Sequence, residues 1–196
     1  MKQNVGIFIF NEVEVLDFAG PYEVFSLTEK DNEKLFKVIT ISENGEMIAA
    51  RNGLKIQPEV SFEQNPDLDI LIIPGGYGAE EIEIKNKKVL EWIKTQSEKV
   101  QILASVCTGA FLLAEAGLLN QKKATTHWMD ISRLEKEYPA VTVIKDTRFV
   151  DEDTIITSGG ISSGINMSFH IIKKLHGLEI AANTAKRMEY DITITA

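Results

Sequence analysis

Cysteine is nearly absent from this chain of 196 residues: Cys107 stands alone. One thiol cannot form an intrachain disulfide or build a cysteine-rich structural zinc site. A reducing compartment, the cytoplasm, is the matching expectation. Long apolar runs are missing too. The longest uncharged stretches are residues 100–114 and 154–172. The first is shorter than the ~20 apolar residues a membrane span needs, and the second is rich in Ser, Thr and Gly. Near the start, Lys2 is the only basic residue, and the apolar run from Val5 to Phe10 stops at Asn11-Glu12 without a small-residue cleavage site. No secretory leader is expected. Clustered positive charge is also lacking. The chain carries 21 Lys and Arg against 29 Asp and Glu, a net charge of −8, which argues against nucleic acid as a partner. No G-x-G-x-x-G occurs, so the dinucleotide fingerprint is not met.

What is present is an ordinary globular composition, 44% hydrophobic and 26% charged, without repeats, low-complexity tracts or linker-like shifts. One domain over residues 1–196 is expected. Val5–Phe10 reads as a short buried strand and residues 20–30 as a helix; Phe36–Ile41 alternates with period two; Asp69–Ile73 is a buried strand ending in Pro74-Gly75-Gly76. A helix over 86–98 precedes a third buried strand at 100–106, and a helix from Thr108 to Ala116 stops at Gly117. Beyond these come a helix at 129–137, strands near 141–145 and 154–157, and helices at 161–176 and 178–188. Near-continuous apolar strands between helices predict an α/β fold with a mostly parallel sheet covered on both faces. Ligands of such folds gather at the carboxyl ends of the strands. That singles out the junctions at 11–20, 74–78 and 105–109.

The last junction carries the thiol. Ser105-Val106-Cys107-Thr108-Gly109 has the layout of a nucleophile elbow, a reactive residue on a sharp strand-to-helix turn with small residues two positions away. A thiol at the start of a helix faces backbone N–H groups and the positive end of the helix dipole, so a lowered cysteine pKa is expected. A buried structural cysteine is the competing reading of this turn taken alone.

Pro74-Gly75-Gly76-Tyr77-Gly78 closes the neighbouring strand, and glycines there let backbone N–H groups turn inward as an oxyanion hole requires. A plain tight turn is the simpler reading. Asp17 follows the first strand. Pro21 suits the first helical position with Gly20 as cap, which leaves Asp17 three residues too early to cap and makes it a candidate for burial beside the site. A carboxyl group next to a thiolate should have a raised pKa and share its proton. The three histidines suggest no metal site: His170 and His176, six apart on one helix, point to different faces. His127, in Thr125-Thr126-His127-Trp128, is expected near the thiol, although no His-x-Glu pair follows to orient it.

Taken in order, these segments resemble the ThiJ/PfpI family of the class I glutamine-amidotransferase-like superfamily. The motifs are Asp69–Gly76, the cysteine elbow, Thr125–Trp128, Thr157-Ser158-Gly159-Gly160-Ile161 and the terminal Ala185–Tyr190. The resemblance implies a flavodoxin-like three-layer α/β/α sandwich, a strained reactive cysteine and a homodimer. Asp17 as the acid and Thr108 after Cys107 are similar to the isonitrile hydratase branch, which adds water to an isonitrile to give an N-substituted formamide without metal or cofactor. In that reading Cys107 attacks, Asp17 moves protons, and the Thr108 hydroxyl and N–H with the N–H groups of Gly76 and Tyr77 position a small-molecule substrate or water. The same domain fronts AraC-type regulators, and with a sequence that runs to Ala196 their helix-turn-helix part is not expected here. Asn166, where relatives often carry aspartate, departs from the pattern. A cofactor-free glyoxalase or deglycase, and a cysteine-based redox sensor or metabolite-binding module, are the alternatives.

Overall fold

Apolar runs too short for buried helices end up as strands of one sheet. The computed structural model describes residues 2–194. Its main strands are β1 (Gln3–Phe8), β2 (Phe36–Ser42), β3 (Val60–Ser61), β4 (Ile70–Ile73), β5 (Ile102–Val106), β6 (Phe149–Glu152) and β7 (Ile155–Ser158). The helices are α1 (Val15–Leu27), α2 (Tyr77–Glu81), α3 (Lys87–Ser97), α4 (Gly109–Glu115), α5 (Ile131–Glu137), α6 (Ser163–His176) and α7 (Leu178–Arg187). The sheet order is β6-β7-β5-β4-β1-β2-β3. Every neighbouring pair is parallel except β6–β7, an antiparallel hairpin at the edge.

Strands β4, β5 and β7 are buried at every position, as a sheet with both faces covered demands. Helices α1, α6 and α7 pack together on one face, and α2, α3 and α4 on the other. The result is the three-layer α/β/α arrangement anticipated above. The chain leaves β1 in one direction to β2 and returns to its other side with β4, so the direction of winding reverses between β1 and β4. Ile73 lies opposite Ser105, and Ser158 opposite Val106. This register brings the carboxyl ends of β4, β5 and β7 level, and the turns that follow them meet.

Several boundaries differ from the sequence reading. The first helix begins at Val15, with Glu14 before it, so Pro21 lies inside the helix rather than at its start. A proline there removes one helical hydrogen bond and costs ~3 kcal/mol. Gly20, Pro21, Val24 and Phe25 are all buried, and a Cβ on Gly20 would approach Ile165 of α6 to 2.9 Å. Packing of α1 on α6 outweighs the local cost. The stretch at 141–145 is no strand of the main sheet: only Thr142–Val143 pairs, with Lys123–Ala124, in a separate two-stranded ladder. Residues Trp128–Asp130 form a 3-10 turn before α5, and α6 starts at Ser163. No helix among the described residues is long and apolar enough to cross a membrane.

Candidate active site

The elbow forms where β5 hands over to α4. Cys107 has φ +56, the left-handed region that side chains rarely adopt. The surroundings hold it there. Its N–H reaches the carbonyls of Ser158 and Gly159 (3.2 and 3.3 Å), and its carbonyl accepts the Thr126 hydroxyl (2.8 Å). The small residues of the motif serve as expected: a Cβ on Gly109 would stand 2.1 Å from the Ile73 carbonyl oxygen. Cys107 as a residue is 6% exposed.

Asp17 sits in the first turn of α1 at the end of β1, fully buried. Its Oδ2 accepts the Gly75 N–H at 3.1 Å, and the Gly75 carbonyl accepts the Glu14 N–H at 2.9 Å. The same glycine therefore ties down the start of α1 and aims the carboxyl group at Cys107. Oδ1 has no aligned protein partner. Burial pushes the Asp17 carboxyl up to about 8, reinforced by nearby Glu14 and opposed by the Gly75 N–H and the thiol. The predicted burial of Asp17 beside the thiol is met, although the residue lies within the helix and not ahead of it.

The expected lowering of the Cys107 pKa is not met. Burial raises the thiol, and the Asp17 carboxylate raises it further; the Thr108 N–H facing the sulfur opposes both without reversing them. A seven-residue helix supplies too little field to offset that desolvation. Near neutral pH the pair rests as thiol and carboxylic acid, and its first proton leaves as a joint property of the two groups.

Two positioning groups also differ from expectation. The Gly76 N–H donates to the Thr108 hydroxyl oxygen at 2.9 Å. The Glu80 carboxylate lies nearby, its pKa raised by burial, with the Thr108 hydroxyl opposing that rise, and Arg133 pairs with it at 2.8 Å. Thr108 is 2% exposed. The hydroxyl and the Gly76 amide are thus spent on locking the Pro74–Gly76 turn to the elbow. Tyr77 begins α2 with a half-exposed ring beneath the Arg51 guanidinium, 5.6 Å from it.

His127 does lie beside the thiol. A Cβ added to Gly160 would meet Cys107 Sγ at 2.5 Å and His127 Cδ2 at 2.7 Å, so thiol and imidazole edge press on one glycine. His127 Nδ1 is 3.5 Å from Asp130 Oδ2, an orienting partner three residues on that a search for His-x-Glu misses. Gly160, Glu80 and Asp130 are site residues that the sequence reading does not single out; Gly160 is visible there only as part of a glycine pair. Gly160→Ala should slow alkylation of the thiol at least tenfold and cost ~1–3 kcal/mol, because a methyl group there displaces Sγ. Rates and midpoints equal to wild type would show that the loop over Cys107 yields freely. His170 and His176 lie elsewhere, paired with Asp151 and Gln3 at 2.7 Å each. Among the described residues no group of three or more His, Cys, Asp or Glu is arranged to hold a metal ion.

Several known proteins are similar over nearly the whole chain. Isonitrile hydratase of Pseudomonas putida is 32% identical over 191 residues, covering 97% of this chain and 79% of that enzyme. The HTH-type transcriptional regulator GbdR of Pseudomonas aeruginosa is 25% identical over 96% of this chain, which spans only 51% of the regulator. A ThiJ/PfpI family protein from Pseudomonas syringae shares the fold at a TM-score of 0.87, with 24% identity over 99% of this chain and 77% of that one. DJ-1beta of Drosophila melanogaster does so at 0.85, with 20% identity over 98% of this chain and 100% of that one. The DJ-1/PfpI family model matches residues 3–174, a span that holds Asp17, the Gly75 turn, the Cys107 elbow and Gly160, and the chain belongs to the DJ-1/PfpI family.

Proposed function

We propose that this protein hydrates small isonitriles, with Cys107 as nucleophile and Asp17 as proton donor and base. The observation that carries the reading is the buried carboxyl group, protonated up to about pH 8, set against Cys107, itself only 6% exposed. A residue so covered favours a slender group that arrives end-on, and the terminal carbon of an isonitrile is one. The likeness to isonitrile hydratase of Pseudomonas putida supports the choice of substrate class.

The steps balance without an outside redox partner. Sulfur bonds to the isonitrile carbon while Asp17 gives that carbon a proton and takes the proton of the thiol; the product is a thioimidate. Asp17 then protonates the nitrogen and, as carboxylate, removes a proton from the attacking water. Collapse of the adduct breaks the carbon–sulfur bond, returns a proton to sulfur and releases the N-substituted formamide. The Thr108 N–H steadies charge on sulfur throughout. Turnover of a small alkyl isonitrile tests this, with formamide measured in the presence of chelator. Because protonated Asp17 is required, the rate should fall as pH rises through about 8. No formamide, or a rate that keeps climbing well above that pH, would sink the proposal. A peroxide-sensing role fits less well, because oxidation follows thiolate character and here the thiol is raised.

A further inference from the structure

A cavity lies away from the thiol, between α6, the start of β6 and the segment 190–194, with a volume of about 370 Å³. One side of its lining is aromatic and aliphatic, and the rest is polar, with Asn166, Lys173, Asp191 and Thr193. Phe149 packs on His170 with ring centroids 4.5 Å apart, Phe169 stacks on Tyr190 at 5.8 Å, and Ile192 and Ile194 close one side. One cation on the lining is set apart from the other arginines. Arg51, Arg133 and Arg187 each pair with a carboxylate. Arg148 reaches only the neutral side-chain oxygen of Asn166, at 3.3 Å, and has no carboxylate within ion-pair distance among the described residues. His170 on the same lining is held by Asp151.

We infer that this cavity binds a small organic carboxylate with an apolar body, the guanidinium of Arg148 taking the carboxylate and the aromatic walls taking the rest. Arginine offers a planar fork that matches a carboxylate oxygen for oxygen, and the volume lies at the small end of the range for ligand sites. An inorganic anion would leave the side formed by Phe149, Phe169, Tyr190 and Ile192 without contact, whereas an apolar body fills it.

The site is wired to the elbow by backbone. The Arg148 carbonyl accepts the Gly159 N–H at 2.9 Å, and the Gly159 carbonyl accepts the Cys107 N–H at 3.3 Å. Gly160, next along, covers the sulfur. A ligand that draws on Arg148 therefore pulls on the strand that holds the nucleophile, and occupancy changes the reactivity of Cys107 without touching it.

Benzoate is the probe, with benzamide and inorganic phosphate as matched controls, read by calorimetric titration and by the rate of Cys107 alkylation. Benzoate should bind saturably and shift the alkylation rate at least twofold, whereas benzamide and phosphate should do neither. Arg148→Met should weaken benzoate about 10- to 100-fold and abolish its effect on alkylation, with the thermal midpoint of the free protein little changed. Asn166→Asp should also weaken binding, by placing a carboxylate against Arg148. Benzamide binding as tightly as benzoate, benzoate affinity unchanged in both variants, or no saturable binding at all would each overturn the inference. None of these outcomes depends on isonitrile turnover.

Discussion

Cys107→Ala should abolish formamide production, and Asp17→Asn should lower it ~10²–10⁴-fold while the fold persists. Alanine removes the sulfur that the proposed reaction joins to the isonitrile carbon. Asparagine keeps the size of Asp17 and can still accept the Gly75 N–H that now reaches Oδ2 at 3.1 Å; what it loses is the transferable proton. The stability of the same variant separates this role from a structural one. Asp17 holds its proton up to about pH 8 in the folded chain, against an ordinary value of 3.8. Between those limits the folded state binds a proton that the unfolded state has released. Stability is therefore lost as pH rises across the window, by at most ~1.4 kcal/mol per pH unit. An amide at this position carries no such cost. Asp17→Asn should gain on wild type in thermal midpoint as pH rises toward about 8, by about 2–4 °C for each kcal/mol. The thiol should respond too. Without the carboxylate that raises it, Cys107 should alkylate faster in Asp17→Asn than in wild type under mildly alkaline conditions. Full turnover in this variant would remove Asp17 from the chemistry, and a gap in midpoint that does not widen with pH would contradict its buried, protonated state.

Gly109→Ala should be severe in another way. Its Cβ would lie 2.1 Å from the Ile73 carbonyl oxygen and 2.8 Å from that of Pro74. Both are backbone atoms of a turn already fixed by the Gly76 N–H to Thr108 bond, so neither can swing aside as a side chain would. A loss of more than ~3 kcal/mol is expected, beyond the usual cost of an overpacked core methyl group, together with a displaced Cys107. Ala110→Gly, one position on, is the control: it removes a methyl group instead of adding one and should keep alkylation near the wild-type rate. A Gly109→Ala midpoint within a few degrees of wild type would mean that the β4 and β5 turns are less tightly joined than the distances state.

The parallel sheet is legible in the sequence because its strands announce themselves. Ile70–Ile73 and Ile102–Val106 are apolar at nearly every position, a pattern that suits strands covered on both faces. The elbow is legible for a similarly local reason, since a nucleophile at positive φ needs small neighbours and Ser105 and Gly109 supply them. The start of α1 is not, because Pro21 invokes a strong local rule that contact with α6 overrides.

Patterns within a few residues are enough to read the buried strands and the longer helices, the single thiol at a strand-to-helix turn and a carboxyl group near it, but not the short strand β3 or the edge strand β6. The protonation of the pair is a different matter and needed the folded chain, because desolvation is a property of everything packed around a group and not of its neighbours in sequence. The same holds for the bond between Thr108 and Gly76, the cover that Gly160 places on the sulfur and the hold of Asp130 on His127. The first two of these join turns from separate strands, and the register of the sheet, which no local pattern encodes, is what brings those turns level. The third is local in sequence, but it matters only because the fold carries His127 to the thiol.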